Sequence, residues 1–151
     1  IIIAVNKWDA IEKDDKTMNK YLKDIGNELA YMPYAPRVFI SAHTGQRVNR
    51  LLELIKTVNE NHALRISTGV LNEVLIEATA MQQPPADKGR QLRLYYMTQV
   101  SVKPPTFVIF VNERELFHFS YRRYIENQLR EAFGFVGTPI HFIVREKGDK
   151  D

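Results

Sequence analysis

Two short apolar runs, Ile1–Val5 (IIIAV) and Arg37–Ile40 (RVFI), are each followed by a stretch whose apolar residues recur at helical spacing. That alternation constrains the fold of the first part of the chain more than any other feature. A continuous run rich in β-branched residues suits a strand buried on both faces. Met18, Tyr21, Leu22, Ile25 and Leu29 put one stripe of a helix, from about Lys16 to Tyr31, against a core, and Pro33 and Pro36 end it. Val48, Leu51, Leu52, Ile55 and Val58 mark a second helix reaching about Asn61. Strand–helix–strand–helix is the order of a parallel α/β sheet, so the expected fold class is α/β.

The rhythm changes near Asn61–Ser67. Ser67 or Thr68 is placed to cap a helix carrying Leu71, Val74, Leu75 and Ala78. QQPPADKGR reads as a loop, LRLYYMTQVSV (92–102) as a long strand, and TFVIFV (106–111) as a second strand after the KPP turn. Glu113–Phe117 has room for one helical turn. From Ser120, an expected N-cap, Tyr124, Ile125, Leu129 and Ala132 line a helix that Gly134 should end, and Pro139–Arg145 is a last strand. Consecutive strands joined by a turn make this sheet at least partly antiparallel. Tyr95 and Tyr96 should point to opposite faces, one into the core and one outward. The expectation is therefore two domains, 1–62 and 63–151, the second of order αββ-αβ.

Of 151 residues, 44% are hydrophobic and 26% charged, as in ordinary globular proteins. The chain has no Cys, which removes disulfides and thiolate zinc sites from consideration. The net charge of +3 is too small and too evenly spread to demand nucleic acid. His43, His62, His118 and His141 show no metal-ligand spacing, and His118 and His141, set among aromatics, read as core or edge residues. No run approaches the length of a membrane span. A cytoplasmic protein without membrane contact is expected.

Asn6, Lys7 and Asp9 follow the first strand, where open α/β sheets bind ligands. A purine with an N1 proton and a 2-amino group offers two parallel donors, which the Asp9 carboxylate accepts and adenine lacks. The Asn6 amide both donates and accepts, and serves the base or braces the neighbouring loop. The Lys7 stem suits the flat face of a base, while Trp8 is read mainly as packing. Ser41-Ala42 follow the second strand. A small side chain at Ala42 admits the base carbonyl to its backbone N–H, and the Ser41 hydroxyl is placed to hold Asp9.

N-K-x-D after an apolar strand, followed by helix, strand and S-A, resembles the base-recognition motifs of the P-loop GTPases. The resemblance implies a guanine-binding set of Asn6, Lys7, Trp8, Asp9, Ser41 and Ala42, with GTP or GDP and Mg²⁺ as ligands of the intact protein. No G-x-x-x-x-G-K-[ST] and no D-x-x-G occur in the chain. The chain is therefore expected to be a C-terminal fragment whose phosphate site lies before Ile1. No catalytic residue, no metal ligand and no tightly bound nucleotide are expected in it, and one edge of the opening strand should lack a partner.

The segment VSVKPPTFVIFVNERELFHFSYRRYIENQLREAFGFVGTPIHFIVR is similar to the C-terminal KH-like domain of the Der (EngA) family of bacterial GTPases. That resemblance implies tandem G domains upstream, a role in assembly of the large (50S) ribosomal subunit, and contact with rRNA or with the protein's own G domains. The Era family, which also joins a G domain to a KH module, is the alternative, as is a KH-like regulatory module without catalysis of its own. RNA-clamping KH modules carry G-x-x-G between two helices. Here that junction reads ELFHFSY, and the G-x-x-G at Gly134–Gly137 lies between helix and strand, where it reads as a cap and a turn. Arg90, Arg93, Arg122, Arg123 and Arg130 remain as candidate RNA or interdomain contacts.

Overall fold

The computed structural model describes residues 1–149. The backbone divides into two compact units, Ile1–His62 with Val136–Pro139, and Ala63–Phe135 with the stretch from Ile140 onward.

In the first unit, β1 (Ile3–Val5) runs parallel to β2 (Arg37–Phe39), with Ile3, Ala4 and Val5 opposite Arg37, Val38 and Phe39. The crossover between them carries α1 (Thr17–Glu28), and α2 (Val48–His62) follows β2. β1 is not buried on both faces as its composition suggests: Ala4 is exposed and Ile3 and Val5 are half-buried. Among the described residues it pairs with β2 alone. The inward stripe of α2 also differs from expectation. Leu51, Leu54 and Val58 turn inward, whereas Leu52 and Ile55 remain 59% and 50% exposed.

One tight contact closes this unit. Gly137, at φ 82°, lies so close to Val58 that a Cβ placed on it would fall 2.3 Å from Val58 Cγ2. Its N–H donates to the Tyr34 carbonyl at 2.8 Å, while the Asn61 amide donates to the Val136 carbonyl at 3.1 Å. The glycine is needed both for its backbone angle and for its missing side chain.

The second unit begins with α3 (Thr68–Met81), then β3 (Ala86–Asp87) and β4 (Arg90–Gln91), a short antiparallel hairpin. The composition of QQPPADKGR predicts a loop, and the structure pairs part of it instead. Its Lys88-Gly89 turn has φ of 48° and 79°, the left-handed pair that matches strand twist in a two-residue hairpin. β5 (Leu94–Ser101) pairs antiparallel with β6 (Thr106–Val111), and β6 pairs parallel with β7 (His141–Glu146). The parallel pair is joined through α4 (Phe119–Phe133), since a parallel return requires a long crossover. The whole chain is thus α/β, with the αββ-αβ order in its second unit.

α3 and α4 share a core with the sheet through Leu71, Leu75, Met97, Phe107, Ile109 and Leu129. Truncating a buried aromatic such as Phe107 costs about 3–5 kcal/mol. Two amides fasten α3 and its approach to β5. Asn72 accepts from the Met97 N–H and donates to the Met97 carbonyl, both at 3.0 Å. Gln99, 7% exposed, accepts from the Ile66 N–H at 2.7 Å and donates to the Leu64 carbonyl at 2.9 Å. Asn72 satisfies Met97 groups that the sheet itself leaves open, and Gln99 satisfies backbone groups of the segment ahead of α3.

Three local expectations change. α4 begins at Phe119 with His118, not Ser120, as N-cap, because the preceding 3₁₀ turn at Arg114–Leu116 ends in a His118 N–H bond to the Leu116 carbonyl. His118 is consequently exposed rather than in the core. Tyr95 and Tyr96 are both exposed, at 47% and 42%, because a register shift between Leu94 and Tyr96 interrupts the alternation. No helix among the described residues is long and apolar enough to cross a membrane.

Candidate functional site

The Asn6–Asp9 segment leaves β1 through a left-handed residue, Lys7 at φ 59° and ψ 34°, and enters a 3₁₀ turn over Trp8–Ala10. A lysine in that region costs of order 1–2 kcal/mol, and the surroundings must hold it there. Asn6 does so directly. Its Oδ1 accepts from the Lys7 N–H at 2.7 Å and also from the Ala42 N–H at 3.1 Å. One side-chain oxygen thereby ties the loop after β1 to the loop after β2. The Ala42 N–H, expected to face a base carbonyl, is engaged by Asn6 in this structure.

Trp8 anchors the turn from below. Its ring is 4% exposed, 4.4 Å from Phe39 and edge-on to Tyr21 at 5.5 Å. Its N–H donates to the Ile40 carbonyl at 3.1 Å. Lys13 donates to the Trp8 carbonyl and lies 5.4 Å from the ring centre. With Trp8 buried, Asn6, Lys7 and Asp9 are left exposed on the loop.

Ser41 is fully buried at the end of β2, and its Oγ accepts from the Thr44 N–H at 3.1 Å. The neighbouring Ser41 hydroxyl is the main reason the Asp9 carboxyl sits below the usual range; His43 and Lys13 add smaller attractions. Asp9 is therefore an ionised, exposed acceptor next to a buried hydroxyl. Asn6, Asp9, Ser41 and Ala42 form one cluster, with Lys7 on its rim. Lys13, His43 and Thr44 join the surroundings. They carried no motif, because their role depends on the fold bringing them beside Asp9 and Ser41.

The five arginines of the second unit do not form one site. Arg90 pairs with Glu113, and Arg130 pairs with Glu126 at 3.5 Å and donates to the Phe135 carbonyl at 3.0 Å. Arg122 donates to the Phe142 carbonyl at 3.1 Å and lies over that ring. Arg123 is exposed and lies over Phe119, itself 72% exposed. Arg93 is exposed, and its backbone is bound to Asn112. In the helix–strand connection, the Gly134 N–H donates to the Arg130 carbonyl at 2.8 Å and Phe135 is fully buried. Gly134–Gly137 is thus a helix end and a packed turn. Among the described residues no group of three or more His, Cys, Asp or Glu is arranged to hold a metal ion.

Comparison with known proteins bears on both units. Residues 65–145 match the KH-domain-like family of EngA bacterial GTPase enzymes, C-terminal. The chain is 65% identical over its full length to GTPase Der of Lachnoclostridium phytofermentans, covering 34% of that protein. It is 59% identical over its full length to GTPase Der of Alkaliphilus oremlandii, again covering 34%. Over 97% of its length it is 62% identical to GTPase Der of Acetivibrio thermocellus, covering 33%. The chain spans about a third of the length of these curated relatives. The β1 and β2 loop motifs and the αββ-αβ unit occur together in a chain that belongs to the EngA (Der) family of bacterial GTPases.

Proposed function

We propose that this chain supplies the guanine-recognising side of a nucleotide site in a GTP-hydrolysing protein that acts in assembly of the large ribosomal subunit. The observation that carries the reading is the Asn6 Oδ1 bridge between the two loops, with the exposed Asp9 carboxylate beside it. Asp9 presents two acceptor oxygens, which match the N1–H and 2-amino donors of guanine and clash with the acceptor N1 of adenine. On binding, the Ala42 N–H shares itself between Asn6 and the base carbonyl. The Lys7 stem covers one face of the ring.

The phosphates and Mg²⁺ have no matching motif in these 151 residues, so the chain contributes base selection and not the hydrolytic step. Mg²⁺, when bound with the nucleotide, supplies charge neutralisation at the phosphates. This chain's residues only orient the base that leads to them. The 151 residues alone are expected to bind GDP weakly and to hydrolyse no GTP.

Guanosine titrated into the ¹⁵N-labelled chain tests the base reading. The Lys7 and Ala42 amides should shift with guanosine and not with adenosine, and Asp9→Asn should abolish the difference. Equal shifts with both nucleosides would refute it. The second unit is proposed to dock on rRNA or on the protein's own G domains. Co-sedimentation of the intact protein with large subunits, lost at raised salt, supports the rRNA arm. Charge reversal at Arg122 and Arg123 that changes GTPase rate while leaving co-sedimentation intact supports the interdomain arm.

A further inference from the structure

We propose that the first unit carries a phosphate-binding pocket on the outer side of β2, separate from the base-recognition cluster. The pocket has a volume of about 250 Å³, and Arg37, Arg47 and Arg50 line it over an apolar floor to which Met18 and Leu22 of α1 contribute. It shares no residue with Asn6–Asp9 or Ser41–Ala42.

Three observations point to an anion. First, among the described residues none of the three guanidiniums takes part in an ion pair with a carboxylate. Three like charges lining one cavity repel, and an anion between them reverses the sign of that interaction. Second, the Arg37 Nε is buried and has no hydrogen-bond partner. Buried donors are almost always satisfied, so this orphan is an exception that an acceptor close to Arg37 would remove.

Third, one carbonyl on the open edge of β2 is already engaged. β1 pairs with β2 through the Pro36 and Ile40 backbone groups, which leaves the alternating Arg37 and Phe39 groups turned to the outer edge. Arg47, held at φ 57°, brings its Nη1 to 3.5 Å from the Phe39 carbonyl on that edge. An incoming strand would have to displace it. A compact group fits instead. Three guanidinium forks offer more donors than the two oxygens of a carboxylate accept, whereas a phosphate presents three or four oxygens. Free phosphate and the phosphodiester of an RNA backbone share this chemistry.

The test uses the ¹⁵N-labelled chain and the arginine Nε–Hε signals. Sodium phosphate is added to about 50 mM against sodium chloride of equal ionic strength. The pocket predicts saturable shifts at Arg37 and Arg50. Arg50→Gln, on the exposed face of α2, should leave the backbone spectrum intact and weaken phosphate binding about tenfold. Arg37→Gln should act likewise. A single-stranded oligoribonucleotide of about ten residues then distinguishes the source. Displacement of phosphate by RNA supports a backbone phosphodiester, and phosphate binding without displacement supports a free phosphate group. Shifts that never saturate, or match those in chloride, or persist unweakened in Arg50→Gln, would overturn the proposal. Because the readout is on arginine side chains, its failure is separable from failure of the guanosine titration.

Discussion

Gly137→Ala is the sharpest probe of what the G-x-x-G segment does. An added Cβ would lie 2.3 Å from Val58 Cγ2, 2.7 Å from Cγ1 and 3.0 Å from Cβ, on a backbone at φ 82°. A side chain at that angle costs about 1–2 kcal/mol, and forcing a methyl into a packed contact adds about 1–3 kcal/mol. The expected loss is therefore about 2–5 kcal/mol, a large part of the stability of a small domain. Urea unfolding should show the midpoint falling by about 1–2.5 M at an m-value of about 2 kcal/mol/M. Val58→Ala removes both Cγ atoms but keeps the Cβ 3.0 Å away, so in that background Gly137→Ala should cost less, chiefly the backbone part of about 1–2 kcal/mol. A cost below about 0.5 kcal/mol, or the same cost in both backgrounds, would refute the packing account. Unchanged stability with weakened RNA binding would restore the alternative in which bare backbone at Gly137 approaches phosphates.

Three further substitutions have defined outcomes. Ser41→Ala removes the main cause of the lowered Asp9 pKa, so the carboxyl resonance of Asp9 should titrate closer to the ordinary aspartate value. A depressed folded pKa gives stability that is present above the unfolded value and lost as pH falls through the folded one. That acid-side loss should shrink in the variant, and an unchanged Asp9 titration would refute the Ser41 assignment. Asn72→Ala strips the Met97 N–H and carbonyl of their partner. A loss of about 2–3 kcal/mol and faster hydrogen exchange at the Met97 amide are expected, whereas unaltered exchange would mean water replaces the side chain. Burial, with a smaller contribution from Tyr124, pushes the Tyr121 hydroxyl up to about 12. A raised folded pKa gives stability fully present below the unfolded value near 10 and lost as pH rises toward 12. Tyr121→Phe should remove that alkaline component of unfolding, and an identical alkaline limb in the variant would contradict it.

The elements were legible in the sequence because their causes are local. Period and β-branching marked β1, β2 and β6, and helical spacing located all four helices to within a few residues. N-K-x-D and S-A were legible for the same reason, as short strings following recognisable strands. The tertiary structure decided what those strings do to one another. Asn6 and Ala42 are 36 residues apart, and no local propensity states that one oxygen will bridge them or that a buried Ser41 will lie beside Asp9. Faces were decided there too: one register shift exposed both Tyr95 and Tyr96, and α2 turned Leu54 inward in place of Leu52 and Ile55. Val136–Pro139 joined the first unit because Gly137 fits only against Val58 and Tyr34. The arginine pocket had no motif at all. Arg37, Arg47 and Arg50 come from a strand, a loop and a helix, and only packing makes their charges neighbours. Secondary structure answers to neighbours along the chain, whereas a site answers to long-range contacts that close only when the whole unit is packed.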